Sequence, residues 1–173
     1  LTIAIPDTAH PKIRGRHQSR AGARIGGVAD LEEKLVPIGE QLRRPGEEIL
    51  GCCVATRSST FSGTMAGIFV TEDRLIIQDL SRKFERKGDP ISLAPADIAD
   101  AKAGPGGGGW WEVSAAILDS VSTELKLKTT DGSKLKLLMM NGEGPVLGKL
   151  GGGAIQGDGV RALGEWFARH SDH

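Results

Sequence analysis

The chain has 173 residues, 39% of them hydrophobic and 25% charged, with 22 Lys and Arg balancing 22 Asp and Glu. That composition suits one domain with a true core plus an appendage, and argues against two separate domains. No run of about 18 apolar residues occurs, and "LTIAIPD" turns polar too soon for a signal-peptide core, so the expectation is a soluble cytoplasmic protein.

Residues 1–29 hold Lys12, Arg14, Arg16, Arg20 and Arg24 against Asp7 alone, a net of +4 that leaves −4 for the remainder. Prolines and glycines punctuate the segment and no apolar periodicity runs through it, so it reads as a flexible basic arm. It is either a solvated tail or a strap that orders on a neighbouring subunit or an acidic partner.

Residues 30–46 read as a short leading helix and linker. "DLEE", Asp30 to Glu33, has the form of a capping box, and Leu31, Leu35, Ile38 and Leu42 follow at helical spacing. Pro37 should kink or divide the helix, and "RRPGEE" should end it at Pro45 and Gly46.

From 47 to 173 short strands take over. "EILGCCVAT", Glu48 to Thr56, is an apolar β-rich run. Its adjacent Cys52 and Cys53 point to opposite faces of a strand and form no disulfide framework, which suits a reducing compartment. "GIFVT" from Gly67 and "RLIIQDL" from Arg74 flank Glu72 and Asp73 as a tight hairpin, and "DPISL" and "APADIADAKA" supply two more strands. "GPGGGGWWEVSAAI" reads as a glycine loop entering another strand, with Trp111, Val113 and Ala115 on the core face and Trp110 outside. Trp110 is then either a partner contact or a partly covered surface ring.

The hairpin "ELKLKTTDGSKLKLL" permits a sharper deduction. A two-residue Asp131-Gly132 loop would pair Lys128 with Leu135 and mix the faces. A three-residue loop, Thr130 to Gly132, pairs Lys128 with Lys134 and Lys126 with Lys136, and gives Gly132 the left-handed position of a type I turn with a G1 bulge. Leu125, Leu127, Leu135 and Leu137 then face inwards. The lysines form either a solvated face relieved by carboxylates such as Glu124 or Glu112, or a surface for an anion or partner. "GDGVRALGEWFARH" closes the chain as a helix, with Asp158 as N-cap and Val160, Leu163, Gly164 and Phe167 on its docking face.

Taken in order, "PGEEIL", "GIFVTEDRLIIQD", "ISLAPADIADAK", "KLKTTDGSKLKLL" and one terminal helix resemble the PH-like fold of the GRAM and bacterial PH-type domains, over roughly residues 45–170. The most characteristic part is Gly67 to Asp79, where Thr71-x-x-Arg74 joins two aliphatic strands. The resemblance implies a mainly β chain: a strongly bent antiparallel barrel of about seven strands capped by a C-terminal helix. The glycine-rich stretch from Asn141 to Gly157 departs from it, since strand seven of such domains usually runs quickly into the helix.

In phosphoinositide-binding PH domains the loop between the third and fourth strands borders the lipid mouth. Here "RKFERK" places Arg82, Lys83, Arg86 and Lys87 around Phe84 in that loop, as an anionic-surface contact or an ordinary charged loop. Those domains also carry a basic pattern from the end of strand one into strand two. This chain has Arg57 alone there, so a specific inositol-phosphate site is not expected, and Arg57 counts only as one contact to an anionic surface or partner.

No catalytic, cofactor or metal set is legible. The histidines, His10, His17, His170 and His173, fall in the arm and at the far end, and "GPGGGG" lacks the Lys-Ser/Thr of a phosphate loop. The expected function is a non-catalytic PH-like protein-interaction or assembly module that self-associates or binds a protein partner. The alternative is peripheral binding to anionic lipids at the inner membrane face through the basic loops, the lysine face and Trp110. Nucleic acid is disfavoured, because the part beyond the arm is net negative and offers no aromatic-studded basic sheet.

Overall fold

The computed structural model describes residues 30–58, 62–104, 109–140 and 153–171. Among these, seven strands form one sheet: β1 Gly51–Ser58, β2 Gly63–Val70, β3 Leu75–Leu80, β4 Arg86–Leu93, β5 Ile98–Ala103, β6 Ser122–Thr129 and β7 Lys134–Met140. Every pairing is antiparallel and the order is β4-β3-β2-β1-β7-β6-β5. The first strand therefore meets the last, while β4 and β5 remain the two ends of an open sheet. Among the described residues three α-helices accompany it, α1 Asp30–Leu42, α2 Trp110–Asp119 and α3 Ala154–Arg169, with a single 3-10 turn at Pro95–Asp97 before β5.

Strand alternation sends side chains into two cores, one on each face. Cys53, Ala55, Ile68, Ile77, Leu125 and Leu137 meet Val160, Leu163, Trp166 and Phe167 of α3 on the inner face. Cys52, Phe69, Ile76 and Leu80 meet Leu31, Leu35 and Ile38 of α1 on the outer face. The adjacent cysteines thus belong to different cores, as their position on a strand requires. Burial pushes the Cys52 thiol up to about 11 and that of Cys53 higher still, so neither is a ready nucleophile.

Helix α1 runs through Pro37 without dividing. Pro37 lies on the exposed side, and the packed stripe of Leu31, Leu35 and Ile38 holds the helix across the missing hydrogen bond. The leading helix is thereby joined to the sheet it precedes.

The Thr71-x-x-Arg74 motif builds a turn and a clamp. Thr71 N donates to Arg74 O at 3.0 Å and Arg74 N donates to Thr71 Oγ1 at 3.1 Å, which closes the β2–β3 hairpin around Glu72 and Asp73. Arg74 then grips Glu47 with two bonds of 2.7 and 2.6 Å, and reaches Ser92 Oγ at 3.0 Å and Leu42 O at 3.2 Å. One guanidinium therefore ties the end of α1 to the hairpin and to β4.

Two expectations fail near the other helices. The segment that begins at Trp110 is helix α2, not a strand, and its inward face is Trp110, Val113, Ser114 and Ile117. Trp110 lies 5.8 Å from Trp166 and 5.4 Å from Phe167 between ring centroids, whereas Trp111 is 68% exposed. The faces of the two tryptophans are the reverse of those expected, because docking against α3 selects the helical period over alternation. Helix α3 begins at Ala154, with Gly153 at its N-cap, so Asp158 lies inside the helix and pairs with Arg161 at 3.3 Å. Ile155 and Gln156 already have packing and hydrogen-bonding roles before Asp158, which extends the helix backwards.

Helix α3 crosses β1 at Gly159, where an added Cβ would lie 2.0 Å from the Cys52 carbonyl oxygen. Among the described residues no helix is long and apolar enough to cross a membrane. The basic arm and residues 141–152 of the glycine-rich stretch lie outside the described residues.

Candidate anion-binding surface

The β6–β7 hairpin has the three-residue loop. Lys126 pairs with Lys136, Lys128 with Lys134, Leu125 with Leu137 and Leu127 with Leu135. Thr129 N donates to Ser133 O at 2.9 Å, Gly132 N donates to Thr129 O at 3.0 Å, and Gly132 has φ +88°. This is the type I turn with a G1 bulge. Asp131 fastens it by accepting from the Thr129 hydroxyl and from Ser133 N, and these bonds hold its carboxyl below the usual range.

The leucines are buried and the lysines exposed, as a shared pleat demands. Strand β5 widens the basic face, since Lys102 pairs with Lys126 and Asp100 with Lys128. Two rows result across three strands: Lys102, Lys126 and Lys136 in one, and Asp100, Lys128 and Lys134 in the next. Together with Arg57 and Ser58 of β1 they line an open concavity of about 900 Å³.

The two rows differ in how their repulsion is met. Glu124 accepts from Lys126 Nζ at 2.8 Å and Lys136 Nζ at 2.7 Å, and those bonds lower its pKa. Asp100 lies 3.7 Å from Lys102. Lys128 and Lys134 have no ion-pair partner among the described residues. Directly opposed like charges cost about 0.2–1 kcal/mol, and Glu124 offsets this for one pair only. Glu112, on the first turn of α2, does not serve the strip.

The other expected contact residues are placed differently. Arg57 borders the concavity, but its guanidinium is bound to both carboxylate oxygens of Asp79, Nε at 2.8 Å, and so is already engaged. "RKFERK" is not one loop. Ser81 Oγ accepts from Lys83 N and Glu85 N, each at 3.1 Å, making a tight turn that exposes Arg82 and Lys83, while Arg86 and Lys87 belong to β4. Phe84, at φ +62°, packs on the outer core with the Lys34 ammonium 5.1 Å over its ring, so it is no free contact. Arg86 Nε donates to Gln78 Oε1 at 3.2 Å. Strands β3, β2 and β1 separate β4 from the lysine strip in the sheet order.

Trp110 is half-buried among aromatic rings and is not a surface anchor. Among the described residues the exposed aromatic is Trp111, seven residues before the exposed Leu118 on α2, with exposed Val121 beyond. The arm residues Lys12, Arg14, Arg16, Arg20 and Arg24 lie outside the described residues.

No family model matches the chain, and no curated protein matches it. Among solved structures, the C-terminal domain of an unknown protein from Leishmania infantum is similar over 65% of this chain and 83% of that one, at 12% identity and a TM-score of 0.39. A likeness at that level bears on neither ancestry nor function.

Proposed function

We propose that the domain is a non-catalytic protein-interaction module, PH-like in organisation, whose lysine strip receives an acidic partner. The observation that carries this reading is the directly opposed pair Lys128 and Lys134, which makes no ion pair among the described residues while the neighbouring pair shares Glu124; Asp100, beside Lys128 on β5, lies 3.7 Å from Lys102 instead. A partner carboxylate placed between those ammonium groups removes a repulsion that the free domain retains, so binding gains more than a single surface ion pair supplies. The strand order, with the first strand beside the last and a helix closing the inner face, supports the PH-like part of the reading. The concavity favours a polypeptide over a flat bilayer.

The test is titration with an oligo-glutamate peptide at low and high salt, beside sedimentation with phosphatidylserine vesicles. Peptide binding that weakens with salt and is lost in the Lys128→Ser/Lys134→Ser double variant is the expected result. No peptide binding at low salt rejects the reading. Vesicle binding alone, lost in the same variant, replaces it with the membrane alternative.

A further inference from the structure

The lysine strip does not end in polar surface. The outward positions of β7 are, in order, Lys134, Lys136, Leu138 and Met140, and the last two side chains are 42% and 43% exposed. Leu138 stands between Thr56 of β1 and Glu124 of β6, and Met140 stands opposite Ser122. Thr56 and Ser122 are short and cover little. Glu124 turns its carboxylate to Lys126 and Lys136, away from the apolar end. One face of one strand thus passes from opposed cations to partly exposed aliphatic side chains over about 20 Å, the length of six extended residues.

From this sequence of positions we infer that the segment bound is extended and amphipathic, with carboxylates over Lys128 and Lys134 and aliphatic side chains over Leu138 and Met140. The inference rests on the lysine strip being a protein-binding surface, and adds the chemistry and polarity of the partner. An extended chain repeats its side chains on one face every two residues, the same spacing as β7 beneath it. A partner reading acid-x-acid-x-aliphatic-x-aliphatic therefore meets each outward position in turn. Carboxylates fix position and encounter rate, and the aliphatic pair supplies affinity that salt does not screen.

The experiment compares two peptides by amide NMR titration of the full chain: Glu-Ser-Glu-Ser-Leu-Ser-Leu, and the same peptide with both leucines replaced by serine. The leucine peptide should bind about tenfold more tightly, as burial of two partly covered aliphatic side chains predicts. Leu138→Ser/Met140→Ser should abolish that preference without weakening the serine peptide. Lys128→Ser/Lys134→Ser should weaken both peptides without lowering the thermal stability. Equal affinity for the two peptides, or a preference that survives in the Leu138/Met140 variant, overturns the amphipathic partner but leaves an acidic one. Failure of both peptides overturns the protein-binding reading and this inference with it, and vesicle binding in that case assigns the surface to lipid.

Discussion

The side-chain amide of Gln156 closes on both backbone groups of Val54, donating from Nε2 to the carbonyl at 2.9 Å and accepting the N–H at Oε1 at 2.7 Å. The same Nε2 also reaches Met140 O at 3.0 Å. The β1–β7 ladder covers only Ala55 to Arg57 against Leu137 to Met139, so Gln156 bridges the strands one residue beyond the last rung. A buried side chain of α3 thus replaces part of a ladder. Gln156→Leu leaves three backbone groups without that partner and should destabilise by about 3 kcal/mol, read from urea unfolding. A loss under about 0.5 kcal/mol would show that the strands re-pair without it.

The clamp between Glu47 and Arg74 sets a pH dependence. Hydrogen bonds from the Arg74 side chain are the chief cause that lowers the Glu47 pKa from 4.5 to about 2. The unfolded chain therefore takes up this proton first as pH falls, so the contribution is complete above the unfolded value of 4.5 and is lost progressively towards 2. Glu47→Gln should cost about 3 kcal/mol at neutral pH and flatten the urea midpoint across that acid window. An unchanged acid slope in the variant would assign the dependence to other carboxylates.

Gly159 should tolerate no side chain. The nearest atom to an added Cβ is the Cys52 carbonyl oxygen, with the Cys52 carbonyl carbon at 2.3 Å and Cys53 N at 2.8 Å, all backbone. No rotamer change relieves such a contact, so α3 must lift from β1. Gly159→Ala is expected to lose about 3 kcal/mol or more, measured by thermal and urea unfolding. Near-native stability would mean that the helix slides along the strand at little cost.

Stability and binding should move in opposite directions at Lys134. Lys134→Glu sets a carboxylate opposite Lys128 and should stabilise the hairpin by about 0.2–1 kcal/mol, while weakening acidic-peptide binding at low salt. A variant that binds acidic peptide as the parent does would remove Lys134 from the contact surface.

The two tryptophans should respond unequally. Trp110→Ala removes a ring packed on Trp166 and Phe167 and should cost about 3 kcal/mol, whereas Trp111→Ser should change unfolding by less than about 0.5 kcal/mol. Equal losses at the two positions would contradict the packing of α2.

The same residues explain what the sequence disclosed. The register of the lysine hairpin was legible because it is decided locally: one loop length keeps leucine opposite leucine, and Gly132 satisfies the turn that this loop requires. Helix α2 was not, since Trp111, Val113 and Ala115 alternate as well as Trp110, Val113, Ser114 and Ile117 follow a helical period. The choice between them is made by α3, which is distant in sequence. The latter spacing was the available signal. Arg57 was expected as a surface contact because it is the one cation in its stretch of sequence, but its partner Asp79 comes from another strand, and no local pattern joins the two. Gln156 was hidden in a run of glycines because its task is defined by a gap between two remote strands.

The open ends of the sheet bear on whether one molecule can extend the sheet of another. Strand β4 carries Arg86, Lys87 and Asp89, followed by Pro90, which has no N–H to offer a further strand. Strand β5 is only six residues long, and its pairing is irregular between Ile98 and Asp100. Neither end is a smooth template, so raising the concentration should not propagate the sheet from molecule to molecule. Were copies to associate through the described surface, side chains and not sheet edges would make the contact, over a limited area that saturates, which favours discrete complexes over fibres.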